Sequence, residues 1–141
     1  MAVSFVEFRV DNPQIKNLTK DDCSWSNSKP LLAISTTTTE YGGTVKFLNE
    51  NGLPLSEIND EMPTKPGVKV SSLIWHPFAP VILVAWESGE VGVFSMKKSK
   101  TIWIESNFES QNRTRSISCI NWMNDGKEII AGMTTLFLIL F

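Results

Sequence analysis

Trp25, Trp75 and Trp122 occupy nearly the same place in three copies of one pattern, and three converging indoles could form an aromatic cage for a ligand. The competing reading makes each a core wedge between neighbouring sheets, where a tryptophan contributes a large apolar area. Their fixed place in the repeat favours packing, because a cage does not need one tryptophan from every copy. His76, the only histidine, stands between Trp75 and Pro77. Alone it cannot build a zinc site, which takes several Cys or His ligands at set spacings. No Ser-His-Asp spacing can be argued for it either. It reads as a turn residue making one hydrogen bond. Glu87 and Glu90 flank a hairpin, and paired carboxylates can do general acid–base work. At a hairpin tip both read instead as solvated surface charges. Gly42-Gly43 and Gly89 with Gly92 resemble no phosphate loop, since neither group opens a helix. No catalytic, metal-binding or cofactor-binding residue is assigned, and no enzyme activity is expected.

The elements that must position the tryptophans repeat with them. Each tryptophan is followed by a turn, an apolar run ending in Ala, and a second short β-like run. The middle copy is clearest: Leu73-Ile74-Trp75-His76-Pro77, then Val81 to Ala85, then Gly89-Glu90-Val91-Gly92-Val93-Phe94. The first copy has Trp25, Leu31-Leu32-Ala33 and Gly43-Thr44-Val45-Lys46-Phe47. The third has Ile120-Asn121-Trp122, Ile129-Ile130-Ala131 and the run from Leu136 to Phe141. A repeat of this kind points to a β-propeller, whose blades are ~40–45 residues each in the WD type. The expected repeat core is Trp25, Trp75 and Trp122 with Ala33, Ala85 and Ala131.

Short runs rich in β-branched and aromatic residues, punctuated by Gly, Pro, Asn and Asp every ~8–12 residues, are an all-β signature. No segment carries a convincing helical period. The expected architecture is a partial WD40-type propeller over 1–141, with about three four-stranded antiparallel blades, the last incomplete. Residues 1–21 form an N-terminal strand and loop, 22–60 the first blade, 68–106 the second and 114–141 the third. Strands are predicted over 68–75, 81–87, 90–96 and 101–105 in the second blade. The threonine run Thr36 to Thr39 continues a strand, since β-branched side chains suit a pleated surface. Turns are predicted at 40–43, Asn51-Gly52, 87–90 and 124–127. The last run, Leu136 to Phe141, is uncharged, free of Pro and strongly apolar, so an open edge there invites self-association.

Composition narrows the function classes. Lys+Arg 13 against Asp+Glu 15 leaves a net charge of −2, without the basic footprint of a nucleic-acid binder. Lys97-Lys98 with Lys100 reads as a solvated turn. The two cysteines, Cys23 and Cys119, each precede a repeat tryptophan and read as small buried hydrophobes rather than a disulfide framework. That usage suits a reducing, cytoplasmic compartment. The sequons at Asn17 and Asn112 matter only in a secreted chain. Glu7 and Arg9 interrupt the apolar N-terminus, so no signal-peptide core is expected there. The apolar end is too short to span a bilayer.

Ser72-Leu73-Ile74-Trp75-His76-Pro77 and Leu83-Val84-Ala85-Trp86-Glu87-Ser88-Gly89-Glu90-Val91-Gly92-Val93-Phe94 together resemble the N-terminal WD40 propeller of the intraflagellar transport protein 140 family. Pro30 to Thr37, Gly43-Thr44-Val45 and Ser118-Cys119-Ile120-Asn121-Trp122 fit the same family. The resemblance spans about 23–141. No Trp-Asp dipeptide closes a repeat and no Gly-His opens one. Members of that family are subunits of intraflagellar transport complex A and continue into a second propeller and helical repeats. The resemblance therefore implies a scaffold in retrograde ciliary transport and ciliary membrane-protein entry. Its partners would be the other complex A subunits, and its place the cilium and ciliary base. It further implies that this chain is a fragment, a short isoform or a truncated product. The alternatives are a WD40 module of a vesicle-coat or other trafficking complex, and a truncated product without independent function.

Overall fold

The structure, a computed structural model, describes residues 23–38, 42–59, 64–98, 100–104, 116–133 and 138–140. The N-terminal strand and loop expected over 1–21 and both sequons lie outside the described residues. Ten strands and one helical turn follow in chain order: β1 Cys23–Trp25, β2 Leu31–Thr38, β3 Gly42–Asn49, α1 Ser56–Asn59, β4 Val70–Trp75, β5 Val81–Trp86, β6 Val91–Ser95, β7 Lys100–Ile104, β8 Ile117–Trp122, β9 Ile129–Met133 and β10 Leu138–Leu140. They make three antiparallel sheets, ordered β1-β2-β3, β4-β5-β6-β7 and β10-β9-β8. Consecutive strands pair with their sequence neighbours throughout, which is the up-and-down pattern of propeller blades.

The sheets stack face to face, and the sequence of β5 shows why. Val-Ile-Leu-Val-Ala-Trp is apolar at every position because its sheet is covered on both faces. Ile82, Val84 and Trp86 join Ala33, Phe47, Trp75 and Phe94 in a core between the first and second sheets. The alternate residues Leu83 and Ala85 join Ile117, Ile120, Ile129 and Ala131 in a core between the second and third. A strand sends successive side chains to opposite faces, so one strand can feed two cores. Phe47 anchors the first core, with ring centroids 5.7 Å from both Trp75 and Phe94.

Only the second sheet has four strands among the described residues. Beside β3 the outer position is taken by an irregular segment. Leu55 N–H donates to Phe47 O at 3.0 Å, Asn49 N–H donates to Leu53 O at 2.9 Å, and Leu48 bridges Pro54. Proline has no N–H to continue a ladder, and past it the chain turns into α1. Four residues of helix make about one turn, too short to leave a period in the sequence.

Cys23 is half-buried and Cys119 is exposed, so Cys119 is not the buried hydrophobe the sequence suggested. The register shifts between Ile117 and Cys119, and this irregularity breaks the inward–outward alternation. Ile117 and Ile120 stay buried while Ser118 and Cys119 both face out.

Candidate functional site

The first strand of each sheet ends in one of the three tryptophans, at Trp25, Trp75 and Trp122. Their cross-strand partners are also equivalent: Trp25 faces Leu32, Trp75 faces Ile82 and Trp122 faces Ile129. β4 lies against both β1 and β8, so the three tryptophan-ended strands stand side by side. Equivalent register and adjacent strands bring the three residues to one end of the molecule.

Trp75 and Trp122 each meet a partner from the repeat before their own. Trp75 Nε1–H donates to Ser24 O on β1 at 2.9 Å. The Trp122 ring meets the His76 ring edge-on, with centroids 4.7 Å apart and planes at 70°. Trp25 belongs to the first sheet, and no preceding sheet covers it among the described residues. It is 55% exposed where Trp75 is 3% exposed. The wedge role thus describes Trp75, while Trp122 is half-buried and Trp25 presents its indole to solvent.

Ala33, Ala85 and Ala131 are all buried, yet they do not share one register position. Ala33 pairs with Ser24, Ala85 with Ser72 and Ala131 with Ile120, each a different distance from the tryptophan. Counted from the residue facing the tryptophan, the equivalent positions are Ser35, Ala85 and Gly132. All three are small. A Cβ on Gly132 would lie 2.6 Å from Cys119 Sγ, so a larger residue there would require the Cys119 side chain to shift.

His76 makes two hydrogen bonds rather than one. Phe78 N–H donates to Nδ1 at 3.0 Å, which leaves the proton on Nε2 to be donated to Gly126 O at 2.9 Å. The ring thereby ties the turn after β4 to the turn after β8. Gly126 has φ +71°, and a Cβ there would sit 2.5 Å from His76 Nε2. Both the backbone and the close approach require glycine.

A second set of ties, missed in the sequence, joins the first two sheets. Trp86 is fully buried and its Nε1–H donates to Gly43 O at 3.2 Å. Gly43 N–H in turn donates to Val68 O at 2.7 Å, and a Cβ at Gly43 would collide with that carbonyl. Lys65 Nζ reaches Glu90 Oε1 at 2.6 Å, and Ser88 Oγ–H donates to Glu90 Oε2 at 2.8 Å. Glu90 is therefore an ion-paired residue, not a free surface charge. The Lys65 hydrogen bond holds its carboxyl below the usual carboxylate range, against the opposing effect of partial burial. The local signal for these ties was weak, because Lys65 and Glu90 lie far apart in sequence.

A cavity of about 420 Å³ opens where the tryptophan-ended strands converge. Trp25, Trp75 and Trp122 line it together with Asn27, Asn121 and Asn124. Among the described residues that line it, none carries an ionisable side chain. Among the described residues no group of three or more His, Cys, Asp or Glu is placed to hold a metal ion. The asparagines were not singled out in the sequence, although Asn121-Trp122-Met123-Asn124 brackets the third tryptophan with two of them.

A family model described as the IFT140 first β-propeller matches residues 2–141. Among solved structures, the crystal structure of the C-terminal WD40 domain of Sif2 is similar, with a TM-score of 0.57 at 17% identity. That match takes in 84% of this chain and 32% of that one. The chain thus spans about a third of the WD40 domain it resembles, and a likeness at this identity speaks for the fold alone.

Proposed function

Because the chain belongs to the IFT140 first β-propeller family, we propose that it is a non-enzymatic scaffold piece of intraflagellar transport complex A. The family match over residues 2–141 carries this reading. Propeller sheets stacked in sequence offer their loops and rims as binding surfaces, and such surfaces need no catalytic group. The sheets are locked by buried ties such as Trp75 to Ser24 and Trp86 to Gly43, which gives those surfaces a fixed shape. Rigid elements hold binding constellations better than loose ones.

The partners are the other complex A subunits, and the process is return transport from the ciliary tip with entry of membrane proteins into the cilium. The chain acts at the cilium and ciliary base. No helix of the described residues is long and apolar enough to cross a membrane, in keeping with a role in which membrane cargo is held through other proteins.

Proximity labelling in ciliated cells tests this. A labelling enzyme fused to the chain should mark complex A subunits above all other WD40 assemblies. Covalent marks accumulate even from brief contacts. Preferential marking of vesicle-coat subunits would overturn the reading in favour of a coat module.

A further inference from the structure

Asn51-Gly52 is the chain's one Asn-Gly step, and a step of that kind carries chemistry of its own. The backbone nitrogen after an asparagine can attack the side-chain amide carbon and close a five-membered ring. A Cβ on the following residue obstructs that approach, and glycine has none. Every other asparagine in the sequence is followed by a residue with a side chain.

Asn51 is exposed, in the turn after β3. The same turn restrains it. Gly52 N–H donates to Asn49 O at 3.0 Å, which closes the turn. Asn49 Oδ1 accepts the backbone N–H groups of Asn51 and Leu53, both at 2.9 Å. The attacking nitrogen must lose its proton and swing onto Asn51 Cγ, so the Asn49 clip has to open first. Its bonds are exposed to solvent, and turns held by such bonds lie at the low end of local stability. The chain after the turn depends on it. Asn49 N–H donates to Leu53 O and Leu55 N–H donates to Phe47 O. These bonds seat the segment beside β3, from which Leu55 and Ile58 pack on the first core.

We infer that Asn51 is a site of spontaneous deamidation, gated by the Asn49 side chain, whose isoaspartate product loosens the segment beside β3. In the first step Gly52 N bonds to Asn51 Cγ, the Cγ–Nδ2 bond breaks, and Nδ2 leaves with the Gly52 proton as ammonia. In the second, water opens the ring at either carbonyl. Opening at Cγ gives aspartate in the normal chain. Opening at the Asn51 backbone carbonyl gives isoaspartate, with the chain routed through Cβ and Cγ. The extra backbone atom displaces Gly52 and Leu53 relative to Asn49. Either product also sets a carboxylate beside Glu50. Nothing in this chemistry depends on complex A membership.

The test ages the full chain at mildly alkaline pH and maps its peptides by mass spectrometry. Electron-transfer fragmentation separates aspartate from isoaspartate. The NH-to-O exchange should accumulate at Asn51 ahead of every other asparagine, as a mixture of both products. Asn51→Gln should suppress it at that position, since glutamine needs a larger ring. Asn49→Ala removes both side-chain bonds of the clip and should speed the exchange about tenfold. Unchanged indole N–H signals of Trp75 and Trp86 would show that this variant stays folded. A free peptide of residues 48–53 should react faster than the folded chain. The isoaspartate fraction should lose hydrogen-exchange protection at Leu55 N–H, while β5 keeps its own. No exchange at Asn51 once the free peptide has converted overturns the inference, as does another asparagine reacting first. Equal rates in the chain, the free peptide and Asn49→Ala would overturn the gate. Full protection of Leu55 N–H in the isoaspartate fraction would overturn the loosening.

Discussion

At the scale of the residue, equivalent tryptophans carry different loads. Trp75→Ala removes a buried indole and its hydrogen bond to Ser24 O, so a loss of ~3–5 kcal/mol is expected. Trp25→Ala, at an exposed site, should fall within the ~0.5 kcal/mol typical of surface changes. Urea unfolding of the two variants checks this, and similar losses would contradict it. Glu90 allows a pH test. Lys65 lowers its folded pKa below the unfolded value, so folding favours the carboxylate. The stabilisation is complete above the unfolded pKa of about 4.3 and disappears as pH falls through the folded value. Glu90→Gln should cost ~0.2–1 kcal/mol at neutral pH, as exposed pairs do, and should flatten the stability profile in the acid range. An unchanged acid slope in Glu90→Gln would show that the Lys65 pairing is not what acts there.

At the scale of the element, the joints between sheets set the arrangement. Gly126→Ala forces a side chain into a left-handed backbone and against His76 Nε2. A left-handed residue with a Cβ costs ~1–2 kcal/mol before the clash is counted. The variant should lose at least that much in denaturant unfolding, with the damage centred on the second and third sheets in hydrogen exchange. Protection lost evenly across all three sheets would argue against a local joint. The strands themselves were legible in the sequence because their residues repeat in one order, from Trp75 through Val81–Trp86 to Val91–Ser95. The turns at Gly52, Gly89 and Gly126 were legible for the same reason, and all three glycines have positive φ. What escaped was non-local. The Lys65–Glu90 pair and the Trp86–Gly43 bond join residues far apart in the chain. The exposure of Trp25 depends on which sheet precedes it, and no residue pattern within one repeat encodes that. The alanines looked equivalent by order along the chain, but strand register sets them at different depths from the tryptophans. The cavity was half legible: the three indoles were visible as a set, but their convergence needed the sheets to be placed.

At the scale of the whole molecule, three stacked sheets leave edges. β10 ends the third sheet among the described residues, and it lies within the apolar run from Leu136 to Phe141. Edges of that composition template other chains. Sedimentation velocity should show concentration-dependent association of the chain, and Ile139→Lys, a charge placed in that run, should reduce it. A monomer at every concentration would show the edge to be covered. The central claim is that tryptophan-ended strands from three successive sheets lie side by side as one propeller arc. Nuclear Overhauser spectroscopy on the isotope-labelled chain tests it most directly. The account predicts cross-peaks from the Trp75 indole N–H to Ser24, and from the Trp122 ring protons to His76. Cross-peaks confined within each sheet, with none between Trp75 and β1 or between Trp122 and His76, would contradict it.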